Sequence, residues 1–250
     1  MKRGAVVVVV AAIVIVFAVQ PAAAKPKVSG EIRVFAAASL TESFTEIARQ
    51  FEKKYPDATV RFNFDASSNL ASQIEQGAPA NVFASADEAN LQKTIDSGDV
   101  VAPPVVFAKN RLEIAVEKGN PKKIKRLADL AKKGLVVVLC ADAVPCGKYA
   151  AEAFTKAGVE VSPSSKEEDA KAALSKVSLG EADAAVVYVT DVKAAKGDVS
   201  GMKIPDAQNV IATYPIAVVK NSSPAAKAWV RFLESKPAQR MLRKFGFLPP

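Results

Sequence analysis

Residues Val34–Phe44, VFAAASLTESF, lead from strand-like to helix-like sequence across a turn of small side chains. Apolar residues predict a strand at Ile32–Ala36, and apolar spacing predicts a helix at Leu40–Lys54. Ser39 stands at the junction, with Glu42 three residues later, so one interpretation is a capping box that only begins the helix. The other is an anion site, since a helix N-terminus offers free N–H groups and the positive end of its dipole.

A second serine turn, Asp65–Leu70 (DASSNL), repeats this arrangement between a predicted strand, Thr59–Phe64, and a predicted helix, Leu70–Gln76. Its serines and its asparagine are ordinary helix-capping residues, so local capping is again an alternative. Ligands of open α/β sheets collect at the carboxyl ends of the strands. Two successive serine turns at that rim therefore favour an anion site near Ser39 and Ser67.

Short β-branched runs alternate with helical periodicity from residue 31 to the end of the chain. This alternation predicts an α/β fold, with helices packed on a largely parallel sheet. We expect about nine strands and nine helices, which is more than one small sheet accommodates, so two α/β units are predicted. The later predictions include a strand at Leu112–Glu117 and helices at Ile124–Lys132, Gly147–Ala157 and Lys166–Leu179.

Three further features at element ends are candidates for the same site. Val144–Tyr149 (VPCGKY) and Ser164–Ala170 (SSKEEDA) lie where predicted helices begin, and each alone is only a helix start. Tyr188 follows the apolar strand predicted at Ala184–Val187. The alternative for Tyr188 is a packed aromatic ring with its hydroxyl at the surface.

The first residues of the chain have the pattern of a signal peptide. Lys2 and Arg3 precede an apolar run, Ala5–Val19, and a small-residue cleavage site ends at Ala24. We therefore expect export, with removal of residues 1–24. The apolar run is short for a bilayer span, which usually needs ~20 residues, and a retained anchor is the alternative.

Charge is nearly balanced along the chain. There are 34 Lys and Arg against 26 Asp and Glu, a net charge of +8. Basic and acidic residues alternate along the predicted helices, which is typical of solvated helix faces rather than of a nucleic-acid-binding surface. No nucleic-acid partner is predicted, and the charge supports only a weak attraction for anions.

Cys140 and Cys146 are the only cysteines, and the chain has no histidine. In an oxidising compartment we expect them to form a disulfide that closes a short loop. A redox pair and a pair of metal ligands are the alternatives, although a zinc site would lack its other ligands. Without histidine a Ser-His-Asp triad is impossible, and Ser39 has no visible base to activate it. The sequence therefore predicts no enzyme.

Six segments carry a more specific pattern: VFAAASLTESF, FDASSNLASQIEQGAPANVFASAD, VPCGKYAAEAF, EEDAKAALSKVSLGEADAAVVYVTD, YPIAVV and RFLESKPAQRMLRKFGF. Together they resemble the family of exported molybdate-binding proteins of bacterial ABC importers. The resemblance extends over residues 31–247. Asn81 departs from it, because the family usually has aspartate at that place.

The resemblance implies a two-lobed periplasmic-binding-protein fold of type II. Each lobe would be a mixed, mostly parallel sheet flanked by helices. Lobe I would comprise residues 31–109 and 214–250, and lobe II residues 110–213, with two strands crossing between the lobes. In this family a tetrahedral oxyanion lies between the lobes and is held by neutral hydrogen-bond donors.

The resemblance also implies the ligand and the residues that bind it. The ligand would be molybdate or tungstate, with no cofactor and no direct protein ligand to the metal. Ser39 and Ser67 would each give a hydroxyl and a backbone N–H. Cys146 and Ala170 would give backbone N–H groups, and Tyr188 its phenolic O–H. Cys146 replaces a small residue often found there, so a disulfide could shift the loop.

A site of donors suits molybdate and tungstate, which are fully deprotonated near neutral pH, whereas phosphate keeps a proton and needs an acceptor. A sulfate binder is an alternative, because sulfate carries the same charge on a smaller sphere. Alternatives of other classes are a serine hydrolase using Ser39 or Ser67 and an envelope protein with incidental clefts. The resemblance implies a periplasmic or envelope-associated protein, expected to be a monomer, that delivers its anion to a membrane permease.

Overall fold

The computed structural model describes residues 27–101 and 103–250, so the predicted signal peptide lies outside the described residues. Within these ranges no helix is both long and apolar enough to cross a membrane. The strands are β1 (Gly30–Ala37), β2 (Ala58–Asp65), β3 (Val82–Ala84), β4 (Val105–Glu117), β5 (Val137–Cys140), β6 (Ser165–Glu167), β7 (Ala184–Tyr188), β8 (Val199–Lys203) and β9 (Ile211–Val218). The helices are α1 (Thr41–Lys54), α2 (Ser67–Glu75), α3 (Glu88–Asp96), α4 (Pro145–Ala157), α5 (Ala170–Ser178), α6 (Val189–Ala194), α7 (Pro224–Leu233) and α8 (Lys236–Phe245), with 3-10 turns at Ala38–Leu40 and Leu127–Ala131.

The first half of the structure is built on β1, which lies between two parallel partners. Its register with β2 extends from Gly30 opposite Ala58 to Ala37 opposite Asp65, and its other edge pairs with β3. Strand β3 pairs with β9 in the antiparallel direction, so this sheet is mixed. The parallel order of β1, β2 and β3 brings their carboxyl ends to one edge of the sheet.

Helix α1 covers this sheet with one apolar face, as its periodicity predicts. Phe44, Ile47 and Phe51 are fully buried on that face. Trp229 of α7 packs edge-on against Phe44 and Phe51, with ring centroids 5.7 and 5.3 Å apart. Such edge-to-face pairs are favourable beyond the area they bury. The aromatic cluster therefore fixes α1 against α7, and with it the turn that holds Ser39.

The second half of the structure contains a second mixed sheet. Strand β7 pairs with β4 in the antiparallel direction, from Leu112 to Val116, and with β5 in the parallel direction. Strand β6 adds to the free edge of β5, and β8 pairs with β4. The two α/β units predicted from the alternation of elements are therefore both present.

Strands β4 and β9 join the two halves. Strand β4 pairs with β9 between Val105 and Arg111, and from Leu112 onward it pairs with β7. Strand β9 in turn pairs with β3 of the first sheet. Two strands thus cross between the halves, while the lobe limits at residues 109/110 and 213/214 stay a prediction.

The strand predicted at Leu112–Glu117 is too short, because β4 begins seven residues earlier, at Val105. Its polar stretch Lys109–Arg111 interrupts the apolar pattern, yet Asn110 within that stretch is fully buried. The strand continues through this polar stretch because the stretch is buried between the two halves, and not because its residues are apolar. A buried polar side chain inside a strand usually has a specific hydrogen-bond partner.

Two helix predictions in the second half are wrong in extent. The helix expected at Ile124–Lys132 is only the short 3-10 turn Leu127–Ala131. The helix expected at Lys166–Leu179 begins at Ala170, because the preceding residues form β6 against β5. The residues of that stretch favour a helix, but their pairing with β5 at the sheet edge outweighs this helix propensity.

Candidate functional site

Four helix N-termini meet around one cavity between the two halves of the structure. Ser39 is the second residue of the 3-10 turn that leads into α1, and Ser67 is the first residue of α2. From the other half, Cys146 is the second residue of α4 and Ala170 the first of α5. All four line the cavity together with Tyr188. The structure therefore brings the five residues predicted for the site to one place.

The N–H groups at these four positions have no acceptor within their own helices, because the first N–H groups of a helix precede its first intrahelical bond. Each helix start is also the positive end of a helix dipole. Four such ends directed at one cavity make it favourable for an anion. The arrangement offers hydrogen-bond donors without any formal positive charge.

The cavity is small and lined by short side chains. The space open to the centre of a water molecule is ≈ 20 Å³. For a round cavity this corresponds to an overall radius of roughly 3 Å, once the ~1.4 Å radius of water is added. Ala37, Ala38, Ala66 and Ala86 form much of the wall, so ligand atoms can approach the backbone closely. The size suits a compact ion rather than an extended organic solute.

Ser39 does not form the predicted capping box. Ala37 and Leu40 occupy the N-cap positions of the 3-10 turn and of α1, and no side chain caps either one. Ser39 is buried, and its Oγ lies 2.8 Å from the hydroxyl of Tyr214. Glu42 instead accepts a hydrogen bond from a lysine of α5. The capping-box interpretation is therefore wrong, because the serine hydroxyl bonds to Tyr214 and not to its own helix.

Ser67 is likewise held by a contact outside its own helix. The N-cap of α2 is Ala66, and no side chain caps this helix. Ser67 is 1% exposed, and its Oγ accepts a hydrogen bond from the backbone N–H of Ala86 at 2.9 Å. Because that bond uses an acceptor position of the oxygen, the hydroxyl hydrogen stays free for another partner.

The disulfide predicted between Cys140 and Cys146 is formed, and it ties the end of β5 to the start of α4. Neither sulfur is then free to bind a metal. Within the described residues, no group of three or more His, Cys, Asp or Glu could hold a metal ion. A Cβ at Gly147 would lie 2.0 Å from the carbonyl oxygen of Ala141. Only glycine therefore lets α4 begin so close to the end of β5, and Cys146, the residue before it, lines the cavity.

Two carboxylates line the cavity, and both are bound by neighbouring donors. Asp169 is the N-cap of α5 and accepts from the N–H of Ala172 at 2.8 Å. Asp65 accepts from the N–H of Ala66 at 2.6 Å and from the side chain of Asn69 at 3.0 Å. Among the described residues, those that line the cavity include no lysine or arginine. Any anion there would be held by uncharged donors.

Tyr188 presents a buried hydroxyl that lacks a partner. The residue is 2% exposed, and its hydroxyl oxygen has no hydrogen-bond partner among the described residues. Burial raises the pKa of this phenol well above its usual 10.0, so the hydroxyl stays protonated. An unsatisfied buried hydroxyl costs ~1–3 kcal/mol, which a ligand acceptor in the cavity would recover. The alternative of a surface hydroxyl is wrong.

Two residues of this region did not stand out in the sequence. Tyr214, fully buried, holds the hydroxyl of Ser39. Asn110, also fully buried, donates to the hydroxyl of Thr190 at 2.9 Å and lies 3.5 Å from that of Tyr214. The sequence carried no clear signal for Asn110, because the predicted strand began only at Leu112. Tyr214 gave none, because an aromatic residue in a strand usually belongs to the core.

Asn81, where the sequence departs from the family pattern, does not line the cavity. Its Oδ1 accepts from the backbone N–H of Arg33 at 2.8 Å, and its carbonyl oxygen accepts from Val219 and Ser222. An aspartate oxygen accepts the same bond from Arg33. The departure therefore lies at the contact between β1 and the residues that follow β9, and not at the cavity.

The sequence and the structure of this chain are both similar to those of known bacterial binding proteins. Residues 32–248 match the family described as bacterial extracellular solute-binding protein. The molybdate-binding protein ModA of Mycobacterium tuberculosis H37Rv is 41% identical over 221 residues, which cover 88% of this chain and 85% of that protein. The structure of the periplasmic molybdate-binding protein of Azotobacter vinelandii matches with a TM-score of 0.75 at 20% identity, covering 88% of this chain and 99% of that one. The sulfate-binding protein SubI of Mycobacterium tuberculosis matches with a TM-score of 0.77 at 20% identity, covering 88% and 86% of the two chains.

The two structural likenesses show the fold, and they confirm the prediction of a two-lobed periplasmic-binding-protein architecture. The family match shows the broad class, one of solute-binding proteins rather than enzymes. It also agrees with the expectation of an exported protein, since the family is extracellular. With the match extending over nearly all described residues, this chain belongs to the bacterial extracellular solute-binding protein family.

Proposed function

We propose that this chain captures molybdate, and also tungstate, in the periplasm or cell envelope and delivers it to the membrane permease of an ABC importer. The observation that carries the proposal is the convergence of uncharged donors, from both halves of the structure, on a cavity of ionic size. The name of the Mycobacterium tuberculosis relative, a molybdate-binding protein, supports the choice of anion.

The donor set matches a tetrahedral dianion. Ser39 and Ser67 would each give a hydroxyl and a backbone N–H, Cys146 and Ala170 a backbone N–H each, and Tyr188 its hydroxyl. These are about seven hydrogen bonds to a charged acceptor, and each contributes ~1.5–3 kcal/mol. Because these are net contributions, they already include the exchange with water, and together they favour binding of the anion. Because no lysine or arginine is among the described residues that line the cavity, the anion can leave again for the transporter.

The chemistry of the ligand favours molybdate over a protonated anion. Molybdate and tungstate carry no proton near neutral pH, so every oxygen is an acceptor, and each donor of the cavity finds a partner. A ligand that keeps a proton needs an acceptor for it, and the two carboxylates at the cavity, Asp65 and Asp169, already accept from neighbouring donors. Sulfate has the same charge on a smaller sphere, so discrimination between the two ions has to come from the size of the cavity.

Binding is proposed to close two lobes, residues 31–109 with 214–250 and residues 110–213, about β4 and β9. Ser39 and Ser67 belong to the first lobe, and Cys146, Ala170 and Tyr188 to the second. A ligand that bonds to both sets stabilises the closed arrangement, which is the hinge type of motion. One chain supplies all these donors, which supports a monomer as the binding unit.

The test is calorimetric titration of molybdate into the wild type and into Ser39→Ala and Ser67→Ala. Each substitution removes one hydroxyl donor, so we expect affinity to fall roughly 10- to 100-fold. Ser68→Ala is the matched control, because Ser68 is the next residue of α2 and does not line the cavity. Circular dichroism should be unchanged in all three variants.

Undiminished molybdate affinity in both Ser39→Ala and Ser67→Ala would remove these residues from the site. A wild type that binds sulfate more tightly than molybdate, measured by competition, would contradict the choice of ligand. A wild type that binds neither oxyanion would contradict the proposed function as a whole. Tungstate is expected to compete with molybdate at similar concentrations.

A further inference from the structure

The hydrogen bond between Tyr214 and Ser39 has a direction that the surrounding groups determine. Tyr214 is fully buried, and its hydroxyl lies 2.8 Å from Ser39 Oγ. The other polar group near that hydroxyl, among the described residues, is Asn110 Nδ2 at 3.5 Å. An amide nitrogen donates and does not accept. The phenolic hydrogen of Tyr214 therefore goes to Ser39 Oγ.

The amide of Asn110 cannot turn around to offer its oxygen instead. Its Oδ1 accepts from the backbone N–H of Arg111 at 2.9 Å. Its Nδ2 donates to Thr190 Oγ1 at 2.9 Å, and the side chain is fully buried. A flip would set the amide nitrogen against a backbone N–H. The oxygen of Asn110 thus stays away from Tyr214.

Because Ser39 accepts from Tyr214, its own hydrogen must go to a different acceptor. The cavity that Ser39 lines is where such an acceptor would lie. The same argument applies to Ser67, because its Oγ already accepts from the N–H of Ala86. Both serine oxygens are engaged by internal donors, and both hydroxyl hydrogens are available to a ligand.

We propose that Tyr214 and Asn110 are positioning residues that keep Ser39 a hydrogen-bond donor and so favour oxyanions that carry no proton. The inference rests on the proposed function of the cavity and adds residues that do not touch the ligand. With the Ser39 oxygen occupied by Tyr214, a hydrogen on the ligand finds no acceptor at this serine. A fully deprotonated oxyanion meets only favourable contacts there.

The test is a double-mutant cycle read by molybdate titration. Tyr214→Phe removes the internal donor while keeping the ring that packs edge-on against Tyr188 and Phe247. We expect it to weaken molybdate binding roughly five- to tenfold when Ser39 is present. In the Ser39→Ala background the same substitution is expected to cost less than twofold, because its effect passes through the serine hydroxyl.

Tyr149→Phe is the matched control for the cycle. The Tyr149 hydroxyl lies 3.4 Å from the carbonyl oxygen of Ala86 and makes no bond to Ser39. Its effect on affinity, whatever its size, should be the same in both backgrounds. An equal loss for Tyr214→Phe in both backgrounds would overturn the positioning role, whereas a wild type that binds no molybdate would overturn the proposed function and this inference with it.

Selectivity gives a second readout that a merely structural role would not change. Without the phenol, the oxygen of Ser39 becomes free to accept a hydrogen from hydrogenphosphate. The ratio of molybdate to phosphate affinity at neutral pH, measured by competition, is expected to fall about fivefold in Tyr214→Phe. An unchanged ratio in a variant with native circular dichroism would also overturn the proposal.

Discussion

Lys171 Nζ lies 2.6 Å from Glu42 Oε1 and joins helix α5 of the second half to helix α1 of the first. Each residue stands close to a helix N-terminus that lines the cavity, next to Ala170 and near Ser39. The same Nζ is 3.7 Å from Asp191 Oδ1. This ion pair therefore connects the two halves beside the cavity, where closure would hold a ligand.

We expect Glu42→Gln to speed the release of molybdate. The substitution removes the charge that holds Lys171 across the halves but leaves Lys171 beside Asp191. Both partners are partly exposed, 25% and 38%, so the pair is worth little, and dissociation should be about two- to fivefold faster. Stopped-flow dissociation measures this rate. Glu46→Gln is the matched control, because Glu46 pairs with Arg49 within α1 itself.

A release rate that is the same in Glu42→Gln and Glu46→Gln would show that the pair between α1 and α5 has no part in holding the ligand. Higher salt should also narrow the difference between these two variants, because it screens partly exposed charges.

Tyr188→Phe is expected to move stability and affinity in opposite directions. Without ligand the variant loses a buried hydroxyl that has no partner in the described structure, so its free energy of unfolding should be equal or higher by about 1 kcal/mol. Molybdate affinity should fall roughly tenfold, because one donor to the anion is lost. Thermal unfolding with and without molybdate shows both effects. A variant that is less stable without ligand and binds normally would contradict the role of Tyr188.

The fully buried carboxyl of Asp191 should make stability depend on pH. Burial raises its pKa from 3.8 to about 6, and the nearby carboxyls of Glu42 and Asp169 add to that rise. Lys171 and the N–H of Tyr188 oppose it. A carboxyl with a raised folded-state pKa contributes stability that is complete below pH ~4 and is lost as the pH rises through about 6.

Asp191→Asn removes this titration while keeping an oxygen for the N–H of Tyr188. Relative to wild type, the variant should therefore gain stability between pH 4 and pH 7, by up to about 3 kcal/mol. Chemical denaturation at the two pH values measures the change. A variant that loses relative stability over the same interval would show that Lys171 outweighs burial at this carboxyl.

The disulfide should matter more for stability than for binding. Cys140 and Cys146 are six positions apart, so replacing both by alanine frees a short loop and should cost about 2 kcal/mol of unfolding free energy. The donor of Cys146 is a backbone N–H, which the substitution keeps. We expect molybdate affinity to fall less than in Ser39→Ala. A larger loss of affinity than in Ser39→Ala would mean that the bridge positions the N–H.

The two serine turns could be predicted from sequence because their signal is local. Ser39 and Ser67 each follow a strand and lead into a helix, and parallel neighbours place such turns on one rim. Their meeting with Cys146 and Ala170 could not be derived from periodicity, because those residues come from another sheet. The family resemblance supplied that part.

Local rules were also misleading at the same site. The spacing of Ser39 and Glu42 fits a capping box, but Tyr214 and Lys171 engage these two side chains instead. Asn110 and Tyr214 meet across a separation of 104 residues. A short-range pattern carries no information about such a contact. The hydrogen bond between Tyr214 and Ser39 could therefore be identified only from the structure.

The proposed binding site is best tested by a crystal structure of the protein grown with molybdate. We expect one anomalous molybdenum peak in the cavity, with oxygens ~2.7–3.2 Å from the Ser39 and Ser67 hydroxyls, the Tyr188 hydroxyl and the N–H groups of Cys146 and Ala170. A molybdenum peak at another place, or an arginine or lysine side chain reaching the anion, would contradict it.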